Sequence, residues 1–363
     1  GYLTETTALQ MPGGILADIL RSLTSLQITA DMVMFVFLPA LVFESALSID
    51  VHRLMEDIGP ILFLAVVGLL ISTFAIAFPL YWMTGMGLVV CILLGCIVSA
   101  TDPVAVVALF KDLGAPKRLN ILVEGESLLN DAAAIAIAGV LVAMLTGHGA
   151  EATLAAGARE LAWSFVGGVL CGAIAGRLLA DLLPRLAGLA MAEGALTLAL
   201  PYPLYLLADQ LLGVSGVVAV VCAGLIVSAL GPTRLSPRNW KHMRMIWEQY
   251  AGITGAVVFL LAAVRVPALL AGVTVHHGLL LLALVVAALG ARVLTLFGLL
   301  PLLSWLKVSA PISNAYKLAI AWGGLRGAVI ARLAALSLVS GLRGAGAGHH
   351  PVDRKNVIGD VHL

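Results

Sequence analysis

Two stretches, 58–80 and 278–303, each exceed twenty residues and are almost free of charge. A helix of about twenty apolar residues crosses the ~30 Å hydrocarbon layer of a bilayer. Inside lipid every backbone N–H and C=O must find its partner within the segment or a closed barrel, so single runs of this kind form helices. Composition points the same way: 61% of residues are hydrophobic and 11% charged, with mean hydropathy +1.06, against roughly 25% charged residues in soluble domains. The chain therefore reads as an all-α polytopic membrane protein. A net charge of +1, with no basic segment interleaved with aromatics, gives no footing for nucleic acid. The four cysteines lie in apolar runs and match no metal or redox spacing, so they read as small buried hydrophobes. No signal-peptide pattern is visible, and both ends read as truncated, with hydrophobic helices missing on each side.

Apolar runs between charged or Gly/Pro breaks give ten candidate spans, at 31–48, 58–81, 87–110, 119–146, 160–183, 189–209, 213–230, 245–264, 278–303 and 315–340. The most polar linker is 231–244. Between spans, twelve Lys and Arg fall on one face, Arg53, Lys117, Arg118, Lys241 and Arg244 among them, against Arg159 and Arg265 on the other. The positive-inside rule makes the first face cytoplasmic. Glu193 and Asp209 bracket the sixth span as membrane-edge residues, and Trp247 opens the eighth with Glu248 as an interfacial anchor. The eight histidines read as loop or tail residues, which leaves no intramembrane imidazole as a base or metal ligand. The string Gly213-Val214-Ser215-Gly216 resembles an intramembrane serine protease motif, but without a base it reads as a helix start with a small-residue packing face.

Two spans have broken centres. Thr101-Asp102-Pro103 puts a proline at mid-membrane, which removes a donor and biases Asp102 away from helical geometry. Gly323-Gly324-Leu325-Arg326-Gly327 interrupts the tenth span around an arginine. By the topology above the two run in opposite directions. Paired interrupted helices in oppositely oriented halves are the pattern of inverted-repeat secondary transporters, whose ion site lies at the midplane between them.

Chemistry enters with carboxylates where lipid-facing helices avoid them. A charge at mid-bilayer costs about 2.5–3.5 kcal/mol even on insertion scales, so such residues mark ion or proton paths. Asp131 is the expected ion carrier, because a carboxylate holds either a proton or a monovalent cation but poorly both. Thr101, Asp102 and Ser127 would supply further oxygens, with unwound carbonyls at the first break and Ser127 one turn before Asp131; Asp131, Thr101 and Ser127 are the expected Na+ ligands. Glu44 either closes this site from another helix or faces water near the cytoplasmic end. Glu126 and Arg292 are each isolated in apolar surroundings, and a buried pair is tolerable where single charges are not, so they are expected to pair. Arg326 is expected to stabilise the core by neutralising Asp102 or half-helix dipole ends. Glu124 reads as a solvated residue near the cytoplasmic surface.

The strings L-P-A-L-V-F-E-S-A-L (38–47), S-A-T-D-P-V-A-V (99–106), G-E-S-L-L-N-D (125–131), S-G-V-V-A-V-V-C-A-G-L (215–225) and W-G-G-L-R-G-A-V (322–329) resemble the sodium/proton antiporters. The subgroup they are similar to holds the animal sodium/hydrogen exchangers and the bacterial NhaP-type proteins. The resemblance covers about residues 30–340. It implies an inverted-repeat antiporter fold of thirteen helices with two discontinuous crossing helices, of which this chain holds about ten spans. It also implies a dimerisation domain (1–57 and 189–274), a core ion-transport domain (58–150 and 275–340), a linking helix (151–188) and a polar tail (341–363). On the family pattern the core moves against the dimerisation domain as an elevator. Asn130 becomes the neighbour of the ion-binding Asp131, Thr101 acts through its carbonyl, and Glu126 with Arg292 matches the family's ion bridge. Electrogenic relatives carry a second aspartate where this chain has Asn130, which implies one-for-one exchange. The chain departs from the pattern at Gly255, where asparagine is usual, and at Asp209, where glutamate is commoner.

The expected function is secondary active, electroneutral exchange of Na+ (or Li+) for H+, not enzymatic catalysis, with no cofactor beyond the transported ions. Potassium/proton exchange is the alternative on the same scaffold. A channel would need a continuous polar path, and a protease would need a base. The expected setting is a multi-pass homodimer surrounded by lipid in a bacterial inner (plasma) membrane, serving pH homeostasis.

Overall fold

A computed structural model describes residues 33–100, 107, 110, 114, 116–146, 154–186, 190–270, 275–299, 301, 314, 317, 318 and 321. Among the described residues the structure is helical, with no strand. Five helices are long and apolar enough to cross a membrane. In chain order the elements are α1 (Leu38–Ser48), α2 (Val51–Glu56), α3 (Ile58–Thr84), α4 (Leu88–Ser99), α5 (Lys117–Thr146), α6 (Leu154–Leu182), α7 (Ala190–Ala199), α8 (Pro201–Leu206), α9 (Gly216–Arg234), α10 (Pro237–Leu270) and α11 (Val275–Leu294).

Each boundary has a local cause. Helix α3 stops at Gly85, which adopts φ +65° and donates its N–H to the Tyr81 carbonyl, the left-handed closure that glycine alone takes without strain. Helix α9 starts where Ser215 accepts a hydrogen bond from the Val218 amide, so the G-V-S-G string is a capped helix start. Helix α4 ends at Ser99, and Ala100 turns to extended backbone (φ −58°, ψ 136°) on the threshold of Thr101-Asp102-Pro103. Helical geometry is present again at Val107 and Phe110. The break residues Thr101 and Asp102, and the whole Gly323–Gly327 break with Arg326, lie outside the described residues.

The helices pack in two groups that share α5. In the first, α6 and α9 are the closest pair. Gly168, Gly172 and Gly176 recur every four residues along α6, and a Cβ on any of them would strike α9 backbone. This is the small-residue approach that lets membrane helices gain dispersion contacts. Gly224 on the same α9 admits the Phe43 carbonyl of α1, and Phe43 stacks on Trp247 of α10 at 4.9 Å. The second group is α3, α4 and α11, joined by a cluster of Ile76, Leu80, Cys91, Leu94, Leu280 and Leu284. Gly95 of α4 sits so near the Thr73 carbonyl of α3 that a Cβ there would lie 2.5 Å from it. Helix α5 touches both groups. Ile121, Leu122, Leu128 and Ala132 join the core with Phe43 and Val217, whereas Ala134 accepts a hydrogen bond from Cys96 of α4.

Four sequence expectations are corrected. The 231–244 linker is helical apart from the joint at Leu235 and Ser236; Ser236 accepts from the Asn239 amide, Pro237 supplies the first helical φ, and Trp240 covers Gly231. Trp247 is no interfacial anchor. It lies ten residues into α10, is 1% exposed, and donates its indole N–H to Thr197. Glu193 does not face the surroundings but is buried, accepting hydrogen bonds from Asn239 Nδ2 at 3.0 and 3.2 Å. His52, His242, His276 and His277 lie on helices rather than loops, at or near helix ends.

Candidate functional site

Helix α5 carries the polar residues of the G-E-S-L-L-N-D string on two distinct faces. At 3.6 residues per turn, Glu124 and Glu126 point about 160° apart. Between them Gly125 meets Leu54 and Ile61, so closely that a Cβ would lie 2.5 Å from Leu54 Cδ1. That contact fixes the rotation of α5 and sends the two carboxylates to different neighbours.

On one face Glu126 and Asn130 stand one turn apart, 4% and 2% exposed. Arg292 of α11 grips Glu126 through a bidentate ion pair, Nη1 to Oε1 and Nη2 to Oε2, the second at 3.2 Å. The side chains are 14% and 5% exposed, so the pair is largely out of water. Among the described residues, Arg292 Nε and Asn130 Oδ1 are buried with no hydrogen-bond partner. Asn130 thus presents an uncommitted oxygen beside Asp131.

On another face Lys117, Asn120, Glu124, Ser127 and Asp131 follow one another at intervals of three and four, a continuous polar stripe. Its lower part opens on a cavity of about 1120 Å³. Lys117, Asn120 and Glu124 line it from α5, Glu44 from α1, and Lys241 and Arg244 from α10. Ser127 lies one turn beyond, 3% exposed, and Asp131 one turn further, partly buried. Arg53, Lys117, Lys241 and Arg244, all counted on the same basic face from sequence, border this one cavity. A second bidentate pair, Arg118 to Asp57 at 2.6 and 2.8 Å, ties the start of α5 to the α2–α3 junction.

The structure therefore unites Asp131, Ser127, Asn130 and Glu126 on α5, brings Arg292 to Glu126, and turns half-buried Glu44 to the cavity. Thr101, Asp102 and Arg326 lie outside the described residues. No three His, Cys, Asp or Glu side chains group to hold a metal among the described residues. Sequence reading did not anticipate that Asn120 and Glu124 extend the Asp131 stripe down to the cavity. The three-and-four spacing back from Asp131 carried that signal.

A family model described as "Sodium/hydrogen exchanger, transmembrane" matches residues 2–345. The low-affinity Na+/H+ antiporter NhaS1 of a Synechocystis species is 36% identical over 311 residues, 84% of this chain and 57% of that protein. The Na+/H+ antiporter NhaP of Pseudomonas aeruginosa is 34% identical over 323 residues, 86% of this chain and 74% of that protein. The chain thus spans little more than half the length of the first curated relatives it matches, 57% and 58%. Among solved structures, the sodium proton antiporter MjNhaP1 of Methanocaldococcus jannaschii superposes with TM-score 0.66 at 20% identity, covering 88% of this chain and 77% of that one. At that identity the likeness speaks for a common fold.

Proposed function

The chain belongs to the sodium/hydrogen exchanger family, and from that premise we propose that it exchanges Na+ for H+ across a membrane through Asp131. The observation that carries the proposal is the placement of this carboxylate. It stands on α5, two turns beyond the cavity-lining Glu124 and beside the unpartnered Asn130 oxygen. The cavity has room for hydrated cations, at about 1120 Å³, whereas Ser127 above it is buried. An ion that leaves the cavity for Asp131 sheds water and takes protein oxygens in exchange. Asp131, Ser127 and Asn130 offer these from α5 and Glu44 from the cavity side, and Thr101 and Asp102 of the T-D-P string are assigned to the same shell from the sequence.

Either a proton or a cation neutralises Asp131, so each displaces the other, and exchange follows once the site is exposed alternately to the two sides. Glu126 is committed to its pair with Arg292 and Asn130 carries no ionisable group, so the single negative charge of Asp131 carries each ion in turn and the cycle is electroneutral. Arg326 is assigned a core-stabilising role from the sequence. The two helix groups that meet at α5 support an elevator motion, with α3, α4, α5 and α11 travelling against α1 and α7–α10. A homodimer in a bacterial inner membrane completes this reading.

The test is transport by the purified chain in proteoliposomes under an imposed pH gradient, with Na+, Li+ and K+ offered in turn. Na+ should dissipate the gradient, and Asp131→Asn should abolish the effect while the variant remains folded. A response to K+ alone would make the chain a potassium/proton exchanger, and wild-type Na+ exchange in Asp131→Asn would remove this residue as the carrier.

A further inference from the structure

We infer that the facing π-turns of α3 and α11 form one joint about which the two broken spans shift together, and that this joint sets the rate of exchange. The inference rests on the antiport reading above but concerns residues outside the proposed ion shell. Helix α3 carries a π-turn at Leu64–Gly68, and a second at Thr295–Leu299 continues α11. The two meet, since a Cβ on Gly68 would lie 3.1 Å from Thr295 Cγ2. Leu64 and Leu296 are buried in one cluster there, 4% and 1% exposed.

Residues that flank both breaks converge on this contact. The same cluster holds Val107 and Phe110, which follow the Thr101-Asp102-Pro103 break, and Ala321, which precedes the break at 323–327. One turn before Ala321, the Lys317 amine stands 5.7 Å from the centre of the Phe297 ring in the α11 π-turn. That is within reach of a cation–π attraction, and Lys317 is 7% exposed. Leu119 and Val123 bring α5 into the cluster. Arg292, three residues before the α11 turn, holds Glu126 of that same helix. One joint thus gathers α3, α5, α11 and the approaches to both breaks.

A π-turn suits such movement. Its amides reach carbonyls five residues back instead of four, so the helix holds one extra residue and its bonds can pass between neighbouring partners. A backbone group in lipid cannot turn to water, so a spanning helix bends most readily where bonds are exchanged rather than lost. The Thr295 hydroxyl, buried at the start of the α11 turn, donates to the Ala291 carbonyl at 2.8 Å and keeps that end paired. A regular α-helix in place of either turn would have to open about one hydrogen bond to bend. One such bond amounts to a factor of about 2 to 13 in rate.

The experiment deletes one residue from either turn in the full chain, Val66 from α3 or Gly298 from α11. A π-turn is an α-helix with one residue inserted, so each deletion restores the regular ladder and leaves the flanking faces as they were. Val66 is 40% exposed and Gly298 has no side chain, so neither deletion empties the core. The maximal rate of exchange in proteoliposomes should fall about 2- to 13-fold in either variant, with the KM for Na+ unchanged. Hydrogen–deuterium exchange of the wild type gives a second reading that decides the matter if a deletion prevents folding. Residues 64–68 and 295–299 should take up deuterium faster than the helix beside them, and addition of Na+ should change both together. Wild-type rates in both variants, a raised KM at unchanged maximal rate, or turns as protected as their flanks would overturn the inference and leave the antiport reading standing. A wild-type chain that exchanges no Na+ would overturn both.

Discussion

Neutralising one member of the Glu126–Arg292 pair tests the architecture of α5 against α11. The pair is bidentate and its side chains are 5% and 14% exposed. Arg292 Nε has no other partner among the described residues, so Glu126→Gln leaves a guanidinium almost without compensation. Breaking a buried pair from one side costs about 3–5 kcal/mol, because the remaining charge is stranded. Arg292→Met strands the carboxylate instead and belongs in the same range. The double variant strands nothing; it exchanges a desolvated ion pair for a neutral amide beside a thioether, and replacing such a pair is often close to neutral. Its loss should therefore fall well below the sum of the singles, below even the loss of either single variant. Thermal unfolding of the four proteins in detergent reads this directly. Losses that add strictly in the double variant would refute the reasoning, since they would mean that the two charges do not share one interaction.

Gly172→Val should destabilise the chain by about 1–3 kcal/mol or prevent folding, because a Cβ there lies 2.8 Å from both the Ala219 carbonyl carbon and Cys222 Cβ. Gly139→Val, with nothing within 4 Å of its Cβ, should leave the melting temperature nearly unchanged. Trp247→Ala should lose about 3–5 kcal/mol in the same assay, since the ring is fully enclosed against Phe43 and Tyr250. Exchange in liposomes clamped at different potentials should proceed at one rate, and a sustained sodium-evoked current would reveal a second proton-carrying group.

Five of the spans are matched by long apolar helices among the described residues, because bilayer thickness writes itself into the length of an apolar run; Ile58–Thr84 and Gly278–Leu299 overlap the expected 58–80 and 278–303. Glu126 and Arg292 were conspicuous for the same reason, as single charges in segments where lipid tolerates none. The 231–244 stretch was misleading. A helix whose outer face meets water needs no apolar stripe, and its caps, Ser236 and Pro237, look the same as turn residues. Trp247 was misread because tryptophan at a span end commonly marks the membrane surface; only the fold shows that Phe43 and Thr197 converge on it. The cavity was invisible, since its walls come from α1 with α2, from α5 and from α10, which are far apart in sequence.

Competition of Na+ and H+ for one carboxylate is the central claim, and the dependence of sodium KM on pH tests it most directly. Initial rates of exchange in proteoliposomes would be measured over a range of sodium concentrations at several pH values on the sodium side. One shared site predicts that each unit of falling pH, once protons occupy Asp131, raises the apparent KM for Na+ toward tenfold while the rate at saturating sodium stays constant. A maximal rate that falls with acidity at constant KM would contradict it, because protons would then act at a site that sodium cannot clear.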